Sequence, residues 1–530
     1  MRQVSMLALF HITFFLLSCG GTESESQLNS WWQKKYDTQK NLFIPSFDGT
    51  SLVAILQEPK EKYFPGQRPA IIFANSWTLD EKEYQRQAEK FASRGYIVLS
   101  YATRGFGRSE GLVSGAGPDD IKDVSSMIDW LENNTNVDST RIGMSGVSYG
   151  GGIALLALAE DERLFTVAAL SSWSDMEKSL YGGETLRKVW IDLLLGSAGE
   201  GRVDPEFHQI YENLKNRSDI EGARSWAIER SSSHRVDQIN SKGSPVFLAN
   251  SYRDNLFPPN QSLDFFERLT GVKRFYMNKG IHASAEMSGI IGLGSSIWNE
   301  VHEWFDHWLL EPGLLIDKTA PYALQTDKGR DFFTALPSVK SKDSNVKLKP
   351  INKIVEVVTK SERVAGVRIS TAKDSGASLG IPIVGSVLDS HTPIKIRKWL
   401  PRIKKENGAV FVADKFNSDR SIRGVSRVEF NFIPESADVH MVAYLYDVNS
   451  RGMATLVTHG VISLYDLTTN TKNHVSLDMT VSSHDFKEGK KLALVIDGYD
   501  SFYKPIDNKE SGFTIIHDGA DTPQIFLPEP

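Results

Sequence analysis

The stretch from Arg141 to Ala159 restricts the fold more than any other part of the chain. A short β-forming run, Arg141-Ile142-Gly143-Met144-Ser145, leads into Gly146-Val147-Ser148-Tyr149-Gly150, and the apolar run Gly151 to Ala159 follows at once. A strand, a glycine-lined turn and a helix in that order lift the serine hydroxyl clear of the backbone. They also aim helix N-terminal amides at whatever the hydroxyl meets. The same G-x-S-x-G spacing recurs at Gly107–Gly111 and Gly376–Gly380, so spacing alone does not select a nucleophile. Ser109 runs into a polar, glycine-rich loop, and beyond Ser378 stands Pro382, which blocks a helix. Ser148 has both neighbours that the turn requires.

The surroundings of that turn alternate strands with helices from about Asn41 to Glu311. Pro69–Ala74 reads as a buried strand. Tyr84, Ala88, Phe91 and Ala92 form one helical stripe that Gly95 ends, and strand-like runs follow at Tyr96–Tyr101, Phe165–Leu170, Pro245–Ala249 and Arg274–Met277. Ile297, Val301, Trp304, Phe305, Trp308 and Leu309 make one face of a last helix. Such alternation predicts an α/β domain with a mostly parallel sheet covered on both sides, over residues 41–312. The helix-prone stretch from about 175 to 240 is too long for an ordinary connection and reads as a helical cap inserted between two strands. After Pro312 the helical period disappears. Runs such as Val428–Phe432, Val439–Tyr446, Thr455–Leu464, Lys491–Ile496 and Gly512–Ile516 predict an all-β sandwich or jelly roll over 313–530.

The N-terminus reads as a processing segment. Arg2 precedes a short apolar run from Met6 to Leu17, and Leu16-Leu17-Ser18-Cys19-Gly20 resembles a bacterial lipobox. Residues 1–19 are expected to be a lipoprotein signal peptide, with Cys19 as the lipidated residue, and 20–40 a polar tether. Cys19 is the only cysteine, so the exported chain has no internal disulfide and its core holds the fold unaided. A diacylated end gives stable membrane attachment, which predicts the bacterial cell envelope; Gly20, rather than an aspartate, after Cys19 favours the outer membrane by analogy with known lipoproteins. The net charge of −6 offers no basic stripe for a phosphate backbone, so no nucleic-acid partner is expected.

A serine hydroxyl needs a histidine to take its proton and a carboxylate to fix that histidine's tautomer. In an α/β sheet of this kind the chain order is serine, acid, histidine. Asp254 stands just past the strand Pro245–Ala249, and His282 just past the strand around Phe275. Both positions lie beyond strand C-terminal ends, where open sheets build their sites. A metal reading of His302-Glu303-Trp304-Phe305-Asp306-His307 fails, because histidines five apart lie about 140° around a helix. They are expected on its polar face. Neither a metal nor a cofactor is implied.

These residues resemble the X-prolyl dipeptidyl peptidase and cocaine esterase-like hydrolases, a group that also holds α-amino-acid ester hydrolases. Gly146-Val147-Ser148-Tyr149-Gly150-Gly151 is similar to that group's nucleophile motif. Arg104-Gly105-Phe106-Gly107-Arg108-Ser109-Glu110-Gly111 matches its R-G-x-G-x-S-x-G loop, and Val439–Val448 and Leu492–Ile496 look like its jelly-roll strands. The resemblance implies an α/β-hydrolase domain with an inserted cap, followed by a galactose-binding-like jelly roll. It implies Ser148, Asp254 and His282 as the triad and the backbone N–H of Tyr149 as an oxyanion donor. Trp77 stands where relatives carry an oxyanion tyrosine, either as an indole donor or as pocket wall. Ala102 stands where many relatives have an aspartate.

The implied activity is hydrolysis of a small ester, amide or peptide bond through an acyl-serine, with an esterase or acylase favoured. An X-Pro dipeptidyl peptidase is the alternative. It needs carboxylates for a free ammonium, and Asp175 and Glu177 are the candidates, beside Trp173 as a wall of the acyl pocket; both acids also fit as solvated residues at a helix start. A third reading, from another class, is a surface glycan-binding lipoprotein whose hydrolase fold is inactive.

Overall fold

The computed structural model describes residues 34–530, apart from 200, 311–319, 340–344, 360–362, 372, 378–396 and 507–510. Cys19, the apolar run before it, most of the tether and Ser378 lie outside the described residues. Ten strands form the first sheet: β1 (Tyr36–Pro45), β2 (Ser51–Pro59), β3 (Arg68–Ala74), β4 (Ile97–Tyr101), β5 (Val137–Val147), β6 (Leu164–Leu170), β7 (Val246–Ser251), β8 (Lys273–Asn278), β9 (Tyr322–Thr326) and β10 (Gly329–Phe333). Their order is β1-β2-β4-β3-β5-β6-β7-β8-β9-β10. From β4 to β9 every pairing is parallel, and the flanking strands are antiparallel. The central strands are apolar on both faces, as a sheet covered on both sides requires. Ala70, Ile72 and Ala74 face one hydrophobic layer, and Ile71 and Phe73 the other.

The helices of this domain are α1 (Gln85–Ala92), α2 (Pro118–Asn134) and α3 (Tyr149–Glu160). The cap follows with α4 (Met176–Tyr181), α5 (Lys188–Ser197), α6 (Pro205–Asn216), α7 (Ile220–Glu229) and α8 (Val236–Lys242), and then come α9 (Pro259–Arg268), α10 (Met287–Ile290) and α11 (Ser296–Phe305). α2 and α3 bury Val124, Met127, Ile153 and Leu156 against one sheet face, while α1 and α11 bury Phe91, Trp298, Val301 and Phe305 against the other. The cap helices fill the connection between β6 and β7, as the long helix-prone stretch predicts.

Two boundaries differ from the sequence reading. β1 already begins at Tyr36, inside the expected tether. At the other end the sheet continues past Pro312. Tyr322, Ala323 and Leu324 pair in parallel with Phe275, Tyr276 and Met277, and β10 folds back on β9. These two short strands resemble the β-rich sequence that follows them, so their membership of the first sheet is decided by packing against β8.

His302 and His307 also differ from expectation: both are buried. His302 Nδ1 meets Arg94 Nη2 at 2.7 Å and Nε2 meets Gln87 Oε1 at 2.8 Å. Burial, then the charge of Arg94, pushes its pKa down to about 3. The turn of α11 that carries it faces α1 rather than solvent.

In the second domain all strand pairings among the described residues are antiparallel. The strand Asn345–Pro350 pairs with Gln524–Phe526 through its first half and with Gly408–Ala413 through its second, so it passes from one layer to the other. The layers enclose Phe411, Phe430, Phe432, Leu445, Leu494 and Phe513. This domain docks directly on the cap. Val189 N–H donates to Phe502 O at 3.3 Å and Lys504 N–H to Leu186 O at 3.0 Å. The loop after β7 joins it too, through Arg253 Nη2 to Leu456 O at 3.0 Å.

The R-G-x-G-x-S-x-G loop is structural. Ser109 Oγ donates to Ala102 O at 2.6 Å and accepts from Val53 N–H at 2.9 Å. Arg104 Nε donates to Asp123 Oδ2 at 2.8 Å and Nη2 to Oδ1 at 2.6 Å, a buried fork-to-fork pair joining this loop to α2. Arg104 Nη1 also lies 3.3 Å from Asp48 Oδ2, so removing Asp123 strips the buried two-point pair but leaves the guanidinium one weaker carboxylate partner. Asp123→Ala is therefore expected to cost about 1–3 kcal/mol in urea unfolding, and a loss below about 0.5 kcal/mol would show that Asp48 and water replace the carboxylate.

Candidate active site

β5 ends at Val147 and α3 begins at Tyr149, so Ser148 alone makes the turn, at φ 56° and ψ −113°. A non-glycine residue at this positive φ stores strain of about 1–3 kcal/mol, which the neighbours hold in place. Ser148 N–H donates to Leu170 O at 2.8 Å, and Gly152 N–H donates back to Ser148 O at 3.1 Å. Two glycines are required by close approach: a Cβ on Gly150 would overlap the Ala74 carbonyl oxygen, and one on Gly146 would overlap the Gly150 backbone.

Three side chains distant in sequence meet at this turn. Ser148 Oγ lies 2.8 Å from His282 Nε2, and His282 Nδ1 lies 2.8 Å from Asp254 Oδ2. Asp254 is fully buried. Its Oδ1 accepts from the N–H groups of Leu256 at 3.0 Å and Phe257 at 2.9 Å, so both carboxylate oxygens are held. The loops carrying acid and base are tied to each other, Tyr252 N–H to Asn278 O at 2.9 Å and Arg253 N–H to Gly280 O at 3.1 Å.

The Tyr149 hydroxyl is pinned near the start of α2, accepting from Ala116 N–H at 2.8 Å and lying 3.3 Å from Asp120 Oδ2. Its backbone N–H stands in the first turn of α3, beside Ser148. Trp77 differs from the indole-donor expectation. Its Nε1–H donates to Leu194 O of α5 at 3.0 Å, so its one side-chain donor bridges to the cap. The ring instead packs edge-on to Phe106, Tyr149 and Phe207, at 5.1, 5.3 and 6.2 Å between centroids. Trp77 thus ties the loop after β3 to the cap.

Trp173 is buried. Its ring lies 6.1 Å from Tyr149 and 5.0 Å from Phe257, and its indole donates to Arg230 O at 2.8 Å. The two acids expected nearby are both engaged. Asp175 is the N-cap of α4, accepting from Lys178 N–H at 3.0 Å, with Ser233 Oγ at 3.3 Å. Glu177 pairs with Arg224 at 2.9 Å. Asp175 and Glu177 therefore do not form a pair of free carboxylates facing the serine.

Sequence reasoning missed two acids around the site, Glu286, which is buried, and Glu83, which is partly buried. Glu286 accepts from Ser171 Oγ at 2.9 Å, and burial pushes its pKa up to about 7. Glu83 lies under the loop that follows β3: its Oε2 accepts from Ser76 N–H at 2.6 Å and its Oε1 lies 2.7 Å from Ser76 Oγ. Ser76 Oγ also lies 3.0 Å from Val147 O, on the residue before the nucleophile. A hydroxyl has one proton. If Ser76 gives it to Val147 O, a protonated Glu83 supplies the other bond, which agrees with the shift of Glu83 to about 7 by burial. Neither acid has a sequence signature, because their partners lie at unrelated spacings.

The chain matches the X-Pro dipeptidyl-peptidase (S15 family) domain over residues 48–284 and the X-Pro dipeptidyl-peptidase C-terminal non-catalytic domain over 338–522. A putative Xaa-Pro dipeptidyl-peptidase of Streptomyces avermitilis is 22% identical over 468 residues, spanning 77% of this chain and 68% of the relative. An α-amino acid ester hydrolase superposes with a TM-score of 0.72 at 15% identity, covering 96% of this chain and 99% of that one. A CocE/NonD family hydrolase from Staphylococcus aureus superposes at 0.67 and 14%, covering 93% and 94%.

A carboxyl whose folded pKa is raised contributes stability that is complete below its unfolded pKa of 4.5 and is lost as pH rises through about 7. Glu83→Gln, which mimics the neutral acid, removes that loss. Its unfolding midpoint relative to the unmodified chain is expected to rise progressively between about pH 5 and 7 and then level off. A difference that stays constant across this range would show that Glu83 is ionised throughout.

Proposed function

The chain belongs to the X-Pro dipeptidyl-peptidase (S15) family and is a serine hydrolase, and on that premise we propose that it cleaves small esters or amides by acyl transfer through Ser148. The observation that carries this reading is the relay of two 2.8 Å contacts from Ser148 through His282 to Asp254. His282 Nε2 takes the Ser148 proton as Oγ attacks the carbonyl carbon. Asp254 holds Nδ1–H and offsets the charge on the imidazolium. The electron pair displaced onto the carbonyl oxygen is met by the Tyr149 N–H. The second donor in this reading is the backbone N–H of Trp77, on the loop after β3, where hydrolases of this fold supply one. His282 then gives its proton to the leaving group. It next takes one from water, which attacks the acyl carbon, and returns that proton to Ser148 Oγ as the acyl C–O bond breaks and the acid leaves.

An esterase or acylase is favoured because the acids available for a substrate ammonium are otherwise engaged: Asp175 caps α4 and Glu177 pairs with Arg224. Trp77, Trp173 and Phe257 offer apolar walls instead. X-Pro dipeptide release is the second reading, favoured by the description of the Streptomyces avermitilis relative as a putative Xaa-Pro dipeptidyl-peptidase. An inactive binding lipoprotein is disfavoured, because a binding surface has no use for a serine, histidine and buried aspartate in proton-transfer register. We also place the enzyme at the cell envelope through a lipidated Cys19, on the strength of Leu16-Leu17-Ser18-Cys19-Gly20.

Steady-state kinetics on 4-nitrophenyl butanoate, Ala-Pro-4-nitroanilide and its N-acetylated form separate these readings. The ester is expected to turn over with the highest kcat/KM, and Asp254→Asn to lower kcat by about three to four orders of magnitude, because the histidine is then held in the wrong tautomer. Faster cleavage of the free anilide than of the ester, with the acetylated anilide inert, would replace the esterase by the dipeptidyl peptidase.

A further inference from the structure

Among the described residues, one cation next to the relay has no hydrogen-bonded anion. Arg187 immediately precedes α5 and is 6% exposed, and its Nε and Nη1 atoms have no hydrogen-bond partner among the described residues. Other buried arginines in the chain are matched by carboxylates: Arg104 by Asp123, Arg230 by Glu206 and Glu229, Arg423 by Asp331 and Asp485. The Arg187 guanidinium stands over the face of Tyr503, 5.7 Å from the ring centroid. His459, which contacts the Tyr503 hydroxyl at 3.0 Å, is held neutral by burial and by the nearby arginines. Asp254 acts on Arg187 through its field, but both its oxygens already accept from His282, Leu256 and Phe257.

The second orphan lies one turn further on. Trp190 is buried, and its Nε1–H also lacks an acceptor among the described residues. Its ring stands 6.1 Å from the His282 ring and 6.1 Å from Phe502. Trp190 N–H donates to Arg187 O at 3.1 Å, so the two side chains leave the same turn, where the cap, the catalytic loops and the β-sandwich meet. Burying an unpaired guanidinium costs several kcal/mol, and an unpaired indole N–H adds to that cost. Two unfilled donors beside a catalytic imidazole, one of them a planar fork that matches a carboxylate in two-point geometry, have the character of a recognition site lacking its anion.

We infer that Arg187 and Trp190 form a subsite for a carboxylate carried by the substrate, so that the preferred substrates are esters or amides bearing an acid group near the scissile bond. The inference rests on the acyl-transfer reading and specifies its substrate class. It also opposes a free N-terminal ammonium at this place, since Arg187 would repel it.

Two matched substrate pairs test it. The mono-4-nitrophenyl ester of adipic acid against 4-nitrophenyl hexanoate places the charge on the acyl side, and 4-acetoxybenzoate against 4-methylphenyl acetate places it on the leaving side. In at least one pair the unmodified enzyme is expected to favour the acid about tenfold or more in kcat/KM, equivalent to about 1.4 kcal/mol. Arg187→Met should bring that ratio to near one, and Arg187→Lys should retain part of it. No preference in either pair, or a preference that survives in Arg187→Met, overturns the subsite. If Arg187→Met does not fold, the Lys variant and the substrate ratios of the unmodified enzyme decide. Calorimetry of Ser148→Ala with adipate and with benzoate reads the subsite without turnover. Saturable binding that is lost on adding Arg187→Met and only weakened on adding Arg187→Lys supports it, and no saturable binding, or binding unchanged in Arg187→Met, overturns it. If all four esters are inert yet the anions bind, the acyl-transfer reading fails and the anion site stands.

Discussion

The buried Asp254 carboxylate fixes the rest of the site. It lies beyond the C-terminal end of β7, fully enclosed, and accepts three hydrogen bonds. Two of these come from the backbone of its own loop and set where the carboxylate points. The third sets the ring of His282, and the ring in turn sets the distance to Ser148. An isolated carboxylate in such a place would be prohibitively costly, so the three donors around it offset the cost of burying it. The sheet enforces the arrangement, because β5, β7 and β8 run in parallel and deliver their loops to one edge.

The second constraint is closure. The site is roofed by the cap, and the cap is itself held by the β-sandwich through Phe502, Tyr503 and Lys504. The C-terminal domain therefore reaches the surroundings of the relay without contributing a member of it: it places Phe502 against Trp190, which stands beside His282. Trp77 performs the matching task from the other side, tying the loop after β3 to α5 through Leu194 O. An indole in this position exchanges a side-chain oxyanion donor for a bridge that fixes the cap.

The parts of the site that follow local rules were legible in the sequence. Ser148 was separable from Ser109 and Ser378 because only it stands between a strand and a helix, and Asp254 and His282 stood out as polar residues just past apolar strands. The alternation of strands and helices was enough to place the sheet and the cap, and the short strands from Val428 to Ile516 lie close to where period-two patterning put them. What depends on side-chain direction was not legible. Trp77 has the right place in the chain for an oxyanion residue, yet its ring turns to the cap. Asp175 and Glu177 follow β6 as a substrate-binding pair would, yet a helix start and Arg224 claim them. His302 lies on α11 among polar neighbours, yet its partners Gln87 and Arg94 come from the region of α1. Glu83, Glu286 and Arg187 gave no signal at all, because burial is a property of the assembled molecule. β9 and β10 were assigned to the wrong domain, since a short strand carries no mark of the sheet it will join.

The central claim is that Ser148 carries the acyl group during turnover, and trapping that intermediate tests it most directly. The enzyme is mixed with a slow 4-nitrophenyl ester, quenched in acid within the pre-steady state, digested and mapped by mass spectrometry. The account predicts one acyl group on the peptide containing Ser148 and none in Ser148→Ala. Ester hydrolysis by the unmodified chain with the acyl group on another residue, or undiminished hydrolysis by Ser148→Ala, would contradict it.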